Sequence, residues 1–211
     1  MVNLLSSTFS RKHADLIDVS TPHATADIAD SAITTAKIAD SAVTPAKLSF
    51  GCWEKVADIT VEGSAVTDIV VDGLDLDTHR AYMIIFKVKN PTANSSGMHI
   101  FFNDDTNDAN YYQQYLYVSG TDISANRANN SIFTWVINGK ENNTWGLLTR
   151  GPTGIPKFHA LNIREGGSTV SIEIRHVSWT TSANVTKIQI HSDQADAISV
   201  GSNLMIFKVS K

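Results

Sequence analysis

The sequence contains a single cysteine, Cys52, among its 211 residues. One cysteine cannot form a disulfide within a chain, and it cannot supply the several thiolates of a cysteine-based zinc site. Cys52 is therefore expected to be a small buried apolar residue and not a catalytic nucleophile. We predict no bound metal and no cofactor.

Charged residues are also scarce, at 18% of the chain with a net charge of −4, and no basic stripe is present. A nucleic-acid-binding surface is therefore not expected. No segment approaches the roughly 20 apolar residues that a membrane-spanning helix requires. The N-terminal MVNLLSSTFSRKHADL carries its positive charges after a short Leu4-Leu5 core, which is not the pattern of a secretory signal. We expect a protein that inserts into no membrane and is assembled in a cytoplasm.

The most informative stretch is a repeat between Ala24 and Leu48. Two and a half copies of a ten-residue unit, ATADIADSAI-TTAKIADSAV-TPAKL, place an aliphatic residue at every fifth position. This period fits neither the 3.6-residue turn of a helix nor the two-residue repeat of a strand, so the unit must bend or change type within itself. A single helical turn followed by an extended piece is our interpretation. The aliphatic residues are Ile28, Ile33, Ile38, Val43 and Leu48.

The repeat cannot form a stable structure as a single copy. Burying five aliphatic side chains contributes roughly 10 kcal/mol, whereas ordering about 25 residues costs on the order of 35 kcal/mol. The segment is therefore either a disordered linker or a stalk in which several chains bury one another's aliphatic residues. Because a linker needs no strict aliphatic spacing, we favour the assembled stalk, with these five residues in its core.

The repeat resembles the thin stalk segments of bacteriophage tail-fibre and other virion fibre proteins, which are generally homotrimers. The preceding Arg11–Asp18 segment, with His23 further on, is similar to the segment that often introduces such stalks. In the family that segment commonly ends in a His-His pair, whereas here only His23 is present and Ala24 follows it. The resemblance covers about residues 11–48. It implies a homotrimer on the virion surface, with a segment 1–22 that anchors it to other virion structural proteins, a stalk 23–50 and a head 51–211.

From Trp53 onward, short runs of alternating apolar and polar residues are separated by Gly, Asn, Asp and Ser. Without βαβ spacing or a long amphipathic helical pattern, they indicate an all-β fold, an antiparallel jelly-roll-like β-sandwich. The predicted strands are 53–61, 65–71, 81–89, 98–103, 111–118, 132–138, 145–149, 158–163, 170–179, 185–191 and 204–209.

The head also resembles, more loosely, a β-sandwich domain that is frequent at the C-termini of phage fibre and appendage proteins. The shared features are an opening Trp53, a turn at 72–75, a loop at 103–112 and strands at 188–192 and 201–207. None of these features is a catalytic signature. The resemblance implies an architecture and a role in contacting the host surface.

An acidic loop, 103–110, is the first candidate site. Oxygen ligands at alternate positions are typical of calcium loops, but the Gly and the distal Glu of an EF-hand are absent. A solvated turn rich in Asn and Asp is the alternative that we favour. Within this loop, Asn107, Asp108 and Asn110 are candidate contacts to a receptor or glycan.

A tyrosine cluster follows the acidic loop. On a strand, Tyr111, Gln113, Tyr115 and Tyr117 share one face, which is amphipathic and can stack on sugars or form a protein interface. We favour a packing or intersubunit surface and keep Tyr111, Tyr115 and Tyr117 as candidate glycan contacts.

Trp145 lies beside a polar loop at 141–144. An exposed Trp145 would be a binding platform and is a candidate contact, although we expect a core position. The histidines at 79, 99, 159, 176 and 191 have no paired ligand spacing. No Gly-x-Ser-x-Gly, His-Glu-x-x-His or phosphate-loop motif is present, so we predict no catalytic site.

These observations favour a non-enzymatic virion fibre whose head attaches to a host glycan or surface protein. The alternative is a capsid decoration or vertex protein with a stabilising role, which the short chain supports. A depolymerase would need a conspicuous acidic cluster, and a free carbohydrate-binding module would not need a stalk.

Overall fold

The computed structural model describes residues 53–165 and 170–209, together with Thr34, Ile38 and Ala42. The chain divides into two units, Met1–Thr44 and Pro45–Lys211. All described strands belong to the second unit. Ile38 is 41% exposed, whereas the other four predicted stalk-core residues lie outside the described residues, as do Cys52 and the predicted anchoring segment. The stalk and the predicted domain boundaries therefore stay predictions.

The described residues form twelve β-strands and one 3₁₀ turn, Asp108–Asn110, with no α-helix among them. All eleven predicted strands are present, so the all-β prediction is confirmed; 81–89 and 170–179 keep their predicted bounds and the other nine have shifted ends. The strand that sequence reasoning missed is β6, which is almost wholly exposed. The strands are β1 (Trp53–Thr60), β2 (Asp68–Asp72), β3 (Ala81–Lys89), β4 (Ser96–Phe102), β5 (Tyr111–Ser119), β6 (Asp122–Ala128), β7 (Ile132–Val136), β8 (Glu141–Arg150), β9 (Pro156–Glu165), β10 (Val170–Trp179), β11 (Lys187–Ser192) and β12 (Asn203–Val209).

The strands form two antiparallel sheets. The large sheet has eight strands in the order β1-β12-β3-β8-β9-β10-β5-β6, and the small sheet has four in the order β2-β11-β4-β7. Every pairing is antiparallel. This arrangement is consistent with a β-sandwich.

Side chains from both sheets share one hydrophobic core. The ring of Phe133 on β7 lies 6.1 Å from that of Phe86 on β3 and 5.7 Å from that of Phe158 on β9. Phe102 on β4 lies 6.0 Å from Trp179 on β10. These aromatic contacts cross from the small sheet to the large sheet, so each sheet has one face in the core and one outer face.

Strand β10 divides its residues between these faces as its alternation predicts. Ile172 and Ile174 are 47% and 55% exposed on the outer face, whereas Glu173 and Arg175 are buried on the inner face. Glu173 forms ion pairs with Arg164, at 3.1 Å, and with Arg175, at 2.9 Å. The charges on the inner face are thus paired with one another, as buried charges generally must be.

Candidate functional site

A polar cleft lies on the outer face of the small sheet. Strand pairing builds it, because Asp68 on β2 lies opposite His191 on β11, and His191 lies opposite His99 on β4. The cleft has a volume of about 430 Å³. The residues that line it are Asp68, His99, Phe101, Thr106, Asp108, Gln189, His191 and Asp193.

His99 is held rigidly on one side of the cleft. Its Nε2 lies 2.7 Å from Oδ1 of Asp193, and its Nδ1 lies 2.7 Å from Oγ of Ser131. Ser131 in turn donates its backbone N–H and its hydroxyl to Oδ1 of Asp108, at 3.0 and 2.9 Å. The ring also stacks on Phe101, with 5.2 Å between centroids. Partners on both ring nitrogens fix the orientation of the buried imidazole.

His191 faces His99 across the cleft, with 6.1 Å between the ring centroids. Its Nδ1 lies 2.7 Å from Oδ1 of Asp68, which also accepts a hydrogen bond from Nε2 of Gln189 at 2.8 Å. The side chains of Asp68 and His191 are 39% and 35% exposed. This side of the cleft therefore presents polar atoms that a ligand can reach.

The connection Ser131–His99–Asp193 has the order of a Ser-His-Asp triad. However, Ser131 is fully buried, and its hydroxyl donates to Asp108. A substrate cannot reach this hydroxyl without a rearrangement, so we interpret the three residues as a support for the cleft wall. Among the described residues, no group of three or more His, Cys, Asp or Glu side chains is placed to hold a metal ion.

The acidic loop contributes Asp108 to the cleft, while its neighbours satisfy one another. Oδ1 of Asn107 accepts from the backbone N–H of Ala109 at 3.1 Å. Nδ2 of Asn110 donates to both carboxylate oxygens of Asp105, at 3.0 and 2.9 Å. Burial alone would raise the pKa of Asp105, but the hydrogen bonds from Trp179 and Asn110 lower it below the ordinary value. These contacts make 103–110 a self-bonded turn.

Tyr111 lies in the core and not on a contact surface. It is 0% exposed, its hydroxyl donates to the carbonyl of Asp105 at 2.8 Å, and it accepts from the N–H of Phe102 at 2.9 Å. Burial raises the pKa of this hydroxyl well above its ordinary range. We therefore remove Tyr111 from the candidate contacts.

Tyr115 and Tyr117 lie on the inner side of β5 in the large sheet, away from the cleft-lining residues. Their rings lie 4.4 Å from the Arg175 guanidinium and 4.9 Å from the Arg164 guanidinium, respectively. Both rings are half-buried. They cover the buried charges of β9 and β10, which agrees with the packing alternative.

Trp145 lies on the outer face of the large sheet and is 41% exposed. The expectation of a core position for Trp145 was therefore wrong. The inward position on this part of β8 belongs instead to Gly146, over which the buried ring of Phe158 packs. The predicted contact residues thus lie in separate places, and only Asp108 belongs to the cleft.

Sequence reasoning missed most of the cleft, because its residues come together only through strand pairing. The available signal was a polar residue between two buried apolar residues, as with His99 between Met98 and Ile100. Gln189 and His191 alternate with Ile188 and Ile190 in the same way. Such alternation predicts an outer face, but it does not reveal which strands are neighbours.

No protein-family model matches this chain, and no curated protein matches its sequence. In the part of the chain that the structure describes, no helix is long and apolar enough to span a membrane.

Proposed function

We propose that this chain is a homotrimeric virion fibre protein whose β-sandwich head attaches the particle to a glycan on the host surface. The observation that carries the proposal is the polar cleft on the outer face of the small sheet. The sequence resemblance of the repeat supports the fibre assignment, with the N-terminal segment bound to other virion structural proteins. On this proposal the protein is located on the virion surface and catalyses no reaction.

The composition of the cleft favours a glycan ligand. Asp68, Asp108 and Asp193 offer carboxylate oxygens that accept hydrogen bonds from sugar hydroxyls, and Gln189 can both accept and donate. Two of the three carboxylates are paired with the two histidines of the cleft, so the cleft carries no net positive charge to attract an anionic ligand even when both imidazoles are protonated. The ligand class is therefore a neutral or amino-substituted sugar, not a sialylated or phosphorylated one.

We also propose that the head has jelly-roll topology, with β5, β6, β9 and β10 as additions to it. In a jelly roll, the first strand of the chain pairs with the last, the second with the second-last, and so on inward. Without the additions, the first strand, β1, pairs with the last, β12, the next pair is β2 with β11, then β3 with β8 and finally β4 with β7. This nested pairing supports the proposal.

Binding of the full-length protein to immobilised glycans tests this function. We expect retention on neutral or amino-substituted glycans and none on anionic ones. Gln189→Ala removes one hydrogen-bonding side chain, which weakens a single site roughly two- to tenfold, and the loss multiplies when several heads bind together. The matched control is Gln114→Ala, which changes an exposed glutamine on β5 outside the cleft.

Loss of retention with Gln189→Ala but not with Gln114→Ala would support the cleft as the attachment site. Retention on no glycan, or equal effects of the two substitutions, would contradict it. The second candidate, a capsid decoration or vertex protein with a stabilising role, would then be favoured.

A further inference from the structure

The outer face of the large sheet carries large apolar side chains where a solvent-facing sheet normally carries polar ones. Six of them define what we term the apolar face, with exposures between 37% for Ile163 and 55% for Ile174. These residues are Leu116, Trp145, Leu161, Ile163, Ile172 and Ile174.

Cross-strand register makes this surface continuous. Trp145 on β8 lies opposite Leu161 on β9, Leu161 opposite Ile174 on β10, and Ile174 opposite Leu116 on β5. In the adjacent row, Ile163 lies opposite Ile172. The apolar face therefore crosses four neighbouring strands and is not a scatter of single exposed residues.

The composition of strand β10 is that of a strand with both faces covered, which favours a partner on the apolar face. A strand with one solvated face is expected to bury its aliphatic residues and expose its charges. In β10, Ile172 and Ile174 point outward, and Glu173 and Arg175 are buried as an ion pair on the inner face. Both faces of β10 thus have the composition of faces that are shielded from water.

The apolar face has the character of an interface between two protein chains. Its six side chains are each 37–55% exposed and form one continuous patch, and contiguous apolar patches on a protein surface mark sites of interaction. The outward-facing charges around this face are of mixed sign and lie near the strand ends, with Glu141 and Glu165 beside Lys157 on β8 and β9 and Lys87 and Lys89 on the neighbouring β3. A face bound to an anionic membrane would be rimmed by basic residues without these glutamates.

We propose that the apolar face of one copy of this chain is covered by a second copy. Sheets can pack against other surfaces through interdigitating aliphatic side chains, and in a closed ring of three copies each copy can cover the apolar face of the next. Chains joined through the repeat would also meet at high local concentration. The assignment rests on the proposed homo-oligomeric fibre and adds the surface through which the heads meet.

Trp145 reports directly on this contact. Its fluorescence is obtained as the difference between the full-length protein and its Trp145→Phe variant, and its accessibility is measured by acrylamide quenching. Sedimentation equilibrium on the same samples gives the mass. The test variant is Leu161→Lys with Ile174→Lys, which puts two charges into the apolar face. The matched control, Val200→Lys, changes a valine that is 50% exposed in the loop before β12.

We expect an oligomer in which quenching of Trp145 is several-fold weaker than that of an exposed indole. The double variant should regain strong quenching, and Val200→Lys should not. Far-UV circular dichroism checks folding, and Leu161→Lys alone replaces the double variant if that variant is unfolded.

Three results would overturn the assignment in distinguishable ways. An oligomer with a fully accessible Trp145 would refute the proposed contact and leave the oligomeric fibre standing. A monomer with a protected Trp145 would mean that another part of the same chain covers the face. A monomer with an accessible Trp145 would refute both the contact and the proposed homotrimer.

Discussion

Gly146 is a position where one added methyl group tests how the two sheets pack. It lies on β8 between Trp145 and Leu147, which are both exposed on the outer face, so a side chain at 146 would point inward. A Cβ atom placed there would lie well inside van der Waals distance of two ring carbons of Phe158, and 3.1 Å from the backbone oxygen of His159.

The expected cost of Gly146→Ala follows from the surroundings of Phe158. The Phe158 ring is fully buried and lies edge-on to Phe133, with 5.7 Å between the centroids. Restoring an ordinary carbon–carbon separation requires a ring shift of about 1 Å or more. Overpacking of this kind lowers the free energy of unfolding by about 1–3 kcal/mol, which corresponds to a fall in Tm of roughly 2–4 °C per kcal/mol for a chain of this size.

Thermal and urea denaturation of the full-length protein, at one protein concentration, measures this change. Gly151→Ala is the control, because the nearest atom to a Cβ there is the flexible end of Lys157, at 3.3 Å. We expect Gly151→Ala to change stability much less than Gly146→Ala. A Gly146→Ala protein within about 0.5 kcal/mol of wild type would refute the inward orientation of residue 146. Trp145 would then face the core, and the apolar face would lose its central residue.

Two further predictions concern charged groups of the large sheet. Glu173→Gln leaves the guanidinium groups of Arg164 and Arg175 without their carboxylate. We therefore expect urea denaturation to show a loss of about 3–5 kcal/mol in the free energy of unfolding. An unchanged denaturation midpoint would contradict the ion-pair network. Burial is the largest cause that lowers the pKa of His176 below 6.5, and the charge of the nearby His159 is the second. The contribution of the neutral His176 to the free energy of unfolding is therefore present above pH 6.5 and is lost as the pH falls through the folded-state pKa. Denaturation at pH 7 and pH 5 should therefore show a smaller acid-induced loss in His176→Gln than in wild type, and equal losses would contradict this explanation.

The strands of the head could be predicted from sequence because period-two alternation is a local property. Strand β3, for example, alternates buried residues such as Ile84 and Phe86 with more exposed ones, and its predicted bounds agree with those observed. Strand β6 carries only a weak signal, with Ile123 and Ala125 between polar residues, because it is an almost wholly exposed edge strand that pairs only with β5. Alternation also separates the two faces of β10 without revealing which one is buried.

The cleft could not be predicted in the same way, because its residues are far apart in the sequence. His99 and His191 become neighbours only because β4 and β11 pair in one register. A shift of one residue would turn one of these side chains to the opposite face. Asp108 was predicted as a contact residue from the composition of its loop. Its neighbours in the cleft, such as His99 and His191, are brought together by the pairing of β4 with β11.

The mass of the full-length protein by sedimentation equilibrium tests the proposed homotrimer most directly. We predict a mass three times that of the 22.9 kDa chain, because the aliphatic residues of the repeat need several copies to be buried and the repeat resembles the stalks of homotrimeric fibres. A mass of 22.9 kDa at every concentration tested would contradict it.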